Sequence, residues 1–261
     1  MTFQPFVPTG GLAGWRFLQS TAEVQRMAHA KSAMQQRDLA YFKENIGKVQ
    51  TAEQLVSDYR LLAVALGAFG LDGDIGNKYL IRRVLEDGTF KPDALSNRLS
   101  DKRYRDLAKT FGFGDFPIPN TKLSDFADKI AARYRDQRFE ADMGRTNDTM
   151  RLALNAKREL PQLAQSKGTN LTKWFTLMGT PPLRKVMETA LGLPPAFAAL
   201  PIDRQVETFQ ERAVAKFGTS DLAELGQGEK LERLLDRYAA LDTTGTGNNV
   251  SSPALLLLRG Y

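Results

Sequence analysis

Apolar residues recur along this sequence at the three- and four-residue spacing of an α-helix. The clearest stripes contain Leu55, Tyr59 and Leu62 in one segment and Leu234 and Tyr238 in another. Such spacing places the apolar side chains on one face of a helix. Because no segment alternates apolar and polar residues for long, as a half-buried strand does, the sequence predicts an all-α fold.

Capping residues, glycines and prolines predict where the helices begin and end. Thr51 followed by Gln54 has the spacing of a capping box. Thr180-Pro181 has the pattern of an N-cap followed by proline at the first helical position. We expect Gly144 to interrupt a long helical stretch. The predicted helical segments are 15–40, 51–67, 75–85, 101–111, 123–165, 183–191, 203–217 and 229–241, with a short helix after Pro92.

An internal repeat indicates that one helical unit is used twice. Ala65-Leu66-Gly67 recurs 125 residues later as Ala190-Leu191-Gly192, and the match continues across a turn. Amphipathic helices that end in glycine can also be aligned this way without duplication. We predict a duplication that gives two similar multi-helix units, packed together, with extended terminal arms. The predicted divisions are an N-terminal arm (1–14), unit 1 (15–115), unit 2 (116–242), and a flexible spacer with an apolar C-terminal tail (243–261).

The composition limits the kinds of site and the compartment. The 261 residues are 42% hydrophobic and 25% charged, as in ordinary globular proteins. The absence of cysteine excludes disulfides, thiolate metal sites and cysteine nucleophiles. No apolar run approaches the ~20 residues that span a bilayer, and the first fifteen residues lack a conventional secretory signal. We expect a cytoplasmic protein without a membrane span; export by a non-classical, flagellar-type route stays open.

The net charge of +6 permits binding to nucleic acid but does not favour it. Basic and acidic residues alternate in sign along segments such as 122–140, which is typical of solvated helix faces. A nucleic-acid-binding protein is expected to gather its cations on one face instead. Nucleic acid is therefore a less favoured partner that stays open.

The motifs that carry common chemistries are incomplete. The glycine-rich segment 9–14 lacks the lysine of a phosphate-binding loop, and Asp72-Gly73-Asp74 lacks the glycine and glutamate of a calcium loop. His29 is the single histidine, so a two-histidine zinc site is excluded, and we expect it at or near the surface of a helix. The sequence predicts no catalytic, cofactor-binding or metal-binding residues, and therefore a protein that is not an enzyme.

Apolar residues near both ends of the chain are the candidates for binding a partner. The aromatic residues of the N-terminal part are suited to binding hot spots, and the leucines of the tail are suited to a groove in a partner. The alternative is that the leucines pack on the protein's own core. The candidate partner-binding residues are Phe6, Trp15, Leu255, Leu256, Leu257, Leu258 and Tyr261.

Several stretches resemble a known family. They are LLAVALGAFGLDGDI (61–75), VLEDGT (84–89), ALSNRLSDKRY (94–104), FGFGD (111–115), GLAGWRFLQ (11–19) and RLALNAKREL (151–160). Together they are similar to a domain-of-unknown-function family of alphaproteobacteria, often encoded among flagellar genes. The resemblance implies an association with the flagellum and no particular activity or site residues.

These features together favour a non-enzymatic helical protein for binding or assembly, with a flagellar component as the candidate protein partner. The alternative is a basic nucleic-acid-binding or regulatory protein. Under either hypothesis, no cofactor is expected.

Overall fold

A computed structural model of the protein describes residues 3–242, whose regular secondary structure is entirely helical. The all-α prediction is therefore confirmed. No helix in this range is long and apolar enough to cross a bilayer. The α-helices are α1 (Gly11–Ala30), α2 (Ala33–Asn45), α3 (Ala52–Ser57), α4 (Tyr59–Gly67), α5 (Lys78–Asp87), α6 (Leu95–Arg98), α7 (Arg103–Phe111), α8 (Phe126–Gly144), α9 (Asp148–Gln165), α10 (Asn170–Met178), α11 (Pro181–Leu191), α12 (Ile202–Phe217), α13 (Leu222–Leu225) and α14 (Gly228–Leu241).

The helix starts largely follow the capping signals of the sequence. Thr51 Oγ1 accepts a hydrogen bond from the Gln54 N–H at 3.2 Å, and Gln54 Oε1 accepts one from the Thr51 N–H at 3.3 Å. These two bonds are the predicted capping box. Helix α11 begins at Pro181 as predicted, but the Thr180 hydroxyl donates to the Thr176 carbonyl at 2.8 Å and does not cap α11. Proline favours the first helical position, because its φ is already helical and it has no N–H that would lack a partner there.

The long predicted segments are divided into pairs of helices. The segment 123–165 contains α8 and α9, and α8 ends at Gly144, where an interruption was expected. Asn147 starts α9, because its Oδ1 accepts a hydrogen bond from the Met150 N–H at 3.1 Å. The short link lets α8 and α9 pack against each other as a hairpin. Segments 15–40 and 51–67 are also divided, at residues 31–32 and at Asp58.

The N-terminal arm is shorter than predicted and lies against α1. Helix α1 begins at Gly11, within the segment expected to be extended. Gly14 permits this start, because a Cβ there would lie 1.9 Å from the Thr9 carbonyl oxygen. The backbone of Phe6 exchanges two hydrogen bonds with the Gln25 side chain, at 2.9 and 3.0 Å. Phe6 is therefore held against α1.

The buried apolar residues form two clusters, and α8 contributes to both. The first cluster extends from Leu39 in α2 to Tyr134 in α8, and the second contains Phe139 and the helices that follow. The division between the clusters thus lies inside α8 and differs from the predicted boundary at residue 115. Helix α1 also departs from the predicted first unit, because Trp15 and Leu18 belong to the second cluster.

The order of helices is similar in the two halves of the chain. Helices α1–α7 and α8–α14 each contain seven helices, with a four-residue helix in sixth place, Leu95–Arg98 and Leu222–Leu225. The two repeated glycines, however, serve different purposes. Gly192 ends α11 in the left-handed region at φ +68°, whereas Gly67 lies within α4, where a Cβ would be 2.7 Å from the Tyr134 ring. The internal duplication stays a prediction.

We predict that Trp174→Ala lowers the free energy of unfolding by about 3–5 kcal/mol, the usual range for truncating a buried tryptophan. Trp174 is fully buried, stacks on Phe209 with ring centroids 5.6 Å apart, and donates its indole N–H to the Ser220 carbonyl at 2.9 Å. Urea denaturation measures the change. Tyr79→Ala is the control, because that side chain is 79% exposed, and should change stability by less than ~0.5 kcal/mol. Equal effects of the two substitutions would contradict this assignment of the core.

Candidate functional site

The predicted partner-binding residues do not form one surface in the described structure. Phe6 is 61% exposed, and its backbone is fixed by Gln25 on α1. Trp15 is fully buried in the second core cluster, which argues against its predicted role as a surface anchor. Trp15 is buried because α1 packs on α9 and α14 of the second half. The remaining candidates, Leu255 to Leu258 and Tyr261, lie outside the described residues, and their role stays a prediction.

His29 is buried, contrary to the expectation of a histidine at or near the surface. Its Nε2 lies 2.8 Å from Asp142 Oδ2, and Gln35 Nε2 lies 3.1 Å from its Nδ1. Both ring nitrogens therefore have a polar partner, a carboxylate at Nε2 and an amide group at Nδ1. Because an amide group occupies the second nitrogen, His29 is not placed to activate a serine. It connects α1 to α8.

The contact with His29 changes the pKa of the Asp142 carboxyl group. The hydrogen bond from His29 lowers the pKa of Asp142, and partial burial acts in the opposite direction without cancelling it. Arg138 and Arg145 lie 3.6 and 3.5 Å from Asp142 Oδ1 and lower the pKa further. The carboxylate form of Asp142 is therefore favoured in the folded protein.

A cleft of about 1080 Å³ lies between the two halves and is the candidate functional site. One wall is formed by α7 and the residues before it, and the opposite wall by α9, α10 and the start of α11. Arg133, Gln137 and Glu140 of α8 lie between these walls. At one point the walls meet, because the Lys102 N–H donates to the Gly179 carbonyl at 2.8 Å. Both halves of the chain are therefore needed to form the site.

The carboxylates of the cleft are held by arginines. Arg158 Nε and Nη2 donate to the two oxygens of Glu140 at 2.8 and 2.9 Å, and its Nη1 also pairs with Glu159. Arg133 pairs with Asp106 at 2.6 Å. Burial alone would lower the pKa of Arg158, but the hydrogen bond and charge of Glu140, followed by those of Glu159, raise it above its ordinary value. Each of these carboxyl groups therefore has an arginine guanidinium as its partner.

Cations outnumber carboxylates along the cleft, by eight to four. Arg103, Arg133 and Arg151 each pair with an acidic residue. Within residues 3–242, the remaining five have no carboxylate oxygen within 4.0 Å of the side-chain nitrogens. The cations without an acidic partner are Lys102, Arg105, Lys109, Lys167 and Lys173.

Lys173 is the deepest of these cations. The residue is 9% exposed, and its ammonium donates to the Ala164 carbonyl at 2.5 Å. An ammonium has three donors, and burial without a counter-ion costs free energy. The cation also lies in the first turn of α10, where the helix dipole is positive. These conditions favour an anion in the cleft.

Sequence patterns gave only a partial signal for this cleft. Lys102, Arg105 and Lys109 follow the i, i+3, i+7 spacing of one helix face, but alternating charges elsewhere indicated ordinary solvated surfaces. Lys167 and Lys173 join them in the lining only because the second half of the chain packs against the first. The burial of Lys173 has no signature in its neighbours along the chain.

Comparisons with known proteins agree with the fold and assign no activity. Residues 68–231, which include the whole lining of the cleft, match the model of the family described as "Protein of unknown function (DUF1217)". The fold is similar to the X-ray crystal structure of protein AGR_C_984 from Agrobacterium tumefaciens, an alphaproteobacterium. The TM-score is 0.72 at 24% identity, with 91% of this chain and 97% of that chain covered, which shows a shared fold. No curated protein matches the sequence.

We predict that Asp142→Asn lowers the stability of the protein at neutral pH, and that the difference from the wild type narrows below about pH 4. A carboxyl group whose pKa is lower in the folded state stabilises the fold above its unfolded pKa, and this contribution is lost as the pH falls through the folded pKa. Urea denaturation of both proteins across this pH range measures the difference. A difference that stays constant down to the lowest pH would contradict the role given to the ionised carboxylate.

Proposed function

Because the chain belongs to the DUF1217 family of unknown function, we propose a role for it from the features of its own surface. We propose that it is a non-enzymatic protein that binds a partner protein during assembly of the flagellum or a related structure. The observation that carries the proposal is the cleft between the two halves, with five cations that lack an acidic partner. Such a site attracts a complementary surface or segment.

The state of the carboxylates in the cleft supports binding over catalysis. Glu140 is 2% exposed and accepts hydrogen bonds from Arg158 and Asn155. Glu159 pairs with the same arginine. A general base must reach the proton that it abstracts and must have an available lone pair. Both glutamates are instead occupied in holding α8 and α9 together.

The flagellar part of the proposal rests on the resemblance in sequence to a family often encoded among flagellar genes. The alternative role, binding to nucleic acid, is favoured by the same cations. It predicts an affinity for random duplex that falls steeply with salt, because counter-ions are released from phosphates. The absence of binding at low salt would remove this alternative.

We predict that a strain from which the gene is deleted loses swimming motility in soft agar, because an assembly step lacks its binding protein. Electron microscopy of the deletion strain should show missing or incomplete filaments or hook–basal bodies. The gene supplied on a plasmid should restore both, which controls for effects on neighbouring genes. Normal swimming and normal flagella in the deletion strain would refute the flagellar role.

A further inference from the structure

We propose that the cleft binds an extended acidic segment of the partner protein, whose carboxylates pair with lysines on both walls. This inference rests on the proposed function, because it names the chemistry of the partner for the same site. The lysines that we assign to recognition are Lys102 and Lys109 on one side and Lys167 and Lys173 on the other.

The charge of the cleft selects for an anionic partner. The carboxylates Asp106, Glu140 and Glu159 are already paired with arginines, so they contribute little net attraction to a basic ligand. The ammonium of Lys173 is buried beside a single carbonyl partner among the described residues. A carboxylate that reached Lys173 would supply the missing counter-charge in a partly desolvated position, where charge-assisted hydrogen bonds are strong.

The arrangement of the lysines fits a chain better than a compact anion. Lys102 and Lys109 are seven residues apart, which corresponds to about 10 Å along a helix. Lys167 follows α9 and Lys173 lies in α10, so the four lysines come from separate elements of the lining. The Lys102 ammonium donates to the Leu99 carbonyl at 3.0 Å. An extended peptide advances about 3.3 Å per residue and directs successive side chains to opposite sides. Acidic side chains of such a peptide would reach both walls.

The apolar part of the lining also fits a peptide. Phe175 is half-buried on the α9–α11 side of the cleft, among the cations, whereas the neighbouring Leu163 and Leu183 are buried in the second core cluster. A segment that combines acidic and apolar residues would use both kinds of contact. Single-stranded nucleic acid is instead bound on exposed aromatic rings. Phe69 is fully buried, with the Arg133 guanidinium 4.0 Å from its ring centroid. Phe175 is therefore a single partly exposed ring in the lining, which does not amount to a run of stacking platforms.

The test uses fluorescence anisotropy with the full chain and three labelled probes. The first is a peptide that repeats Glu-Glu-Leu-Leu, which places glutamates on both sides of an extended chain. The second is the same peptide with glutamine for glutamate, and the third is an oligodeoxythymidine of the same charge as the first. We expect the glutamate peptide to bind at least tenfold more tightly than the other two at low salt. Equal binding of the glutamine peptide, or tighter binding of the oligonucleotide, would overturn the proposal.

Charge-reversal variants test whether the glutamate peptide binds in the cleft. They also distinguish an effect of the cleft lysines from an effect of the net charge of the protein. The double variant Lys109→Glu/Lys167→Glu changes two exposed lysines of the cleft, and Lys78→Glu/Lys216→Glu changes two exposed lysines outside it. Both pairs lower the net charge by the same amount. Lys109 and Lys216 each occupy the last turn of a helix, which matches the effect on the helix dipole. We expect the cleft variant to lose at least tenfold in affinity for the glutamate peptide and the control less than threefold; equal losses would overturn the proposal.

A third variant tests the buried cation. Lys173→Met removes the ammonium and keeps a side chain of similar length. We expect it to lower the affinity for the glutamate peptide and to leave the helix content, measured by circular dichroism, unchanged. Lys173→Arg keeps the charge and should retain binding; binding that is unaffected by Lys173→Met would exclude this residue from recognition.

If the glutamate peptide binds in the cleft but the deletion strain swims normally, the flagellar role fails and the cleft chemistry stands. If motility is lost but a strain carrying the cleft double variant swims normally, the cleft proposal fails alone.

Discussion

The contact between Arg158 of α9 and Glu140 of α8 is the interaction on which the rest of the structure depends. It is bidentate, almost completely buried, and extended by Glu159 and Asn155. A buried ion pair gains little net free energy over an apolar pair of the same size, because both groups must be desolvated. Its effect is to specify one arrangement, since any shift of α8 along α9 would leave buried charges without partners.

That arrangement matters because α8 belongs to both apolar clusters. Its first half, with Phe126 and Ile130, packs into the first cluster, and its second half, with Phe139 and Met143, packs into the second. Fixing α8 against α9 therefore fixes the two clusters relative to each other. On its other side, α8 is connected to α1 through Asp142 and His29. The width of the cleft follows from these contacts, together with the bond between Lys102 and Gly179.

The sequence was sufficient for features that depend on neighbouring residues. The capping box of Thr51 and Gln54, the start of α11 at Pro181 and the end of α8 at Gly144 are all local, and each was found where it was predicted. The break at Asp58 was missed because no glycine or proline marks it. The aspartate itself caps α4, its Oδ1 accepting from the N–H groups of Arg60 and Leu61 at 2.9 and 3.0 Å.

Burial was the harder property to predict, because it depends on residues far along the chain. From the sequence, Trp15 was expected to bind a partner and His29 to lie at or near the surface. In the structure, helices from the second half cover Trp15, and His29 pairs with a residue 113 positions away. The candidate site has the same dependence. Lys109 and Lys167 are ordinary surface lysines in their own segments, and only the packing of the two halves brings them to the same cleft.

A site assembled in this way has a physical consequence for binding. Its two walls come from different halves of the chain, so neither half contains the complete set of cations. The rigid contacts of α8 keep the walls apart before any ligand arrives, and a preformed site avoids the cost of ordering protein groups during binding. The ammonium of Lys173, which donates to the Ala164 carbonyl, lies in the lining of this preformed site. The same packing that stabilises the fold therefore also sets the positions of the cations in the cleft.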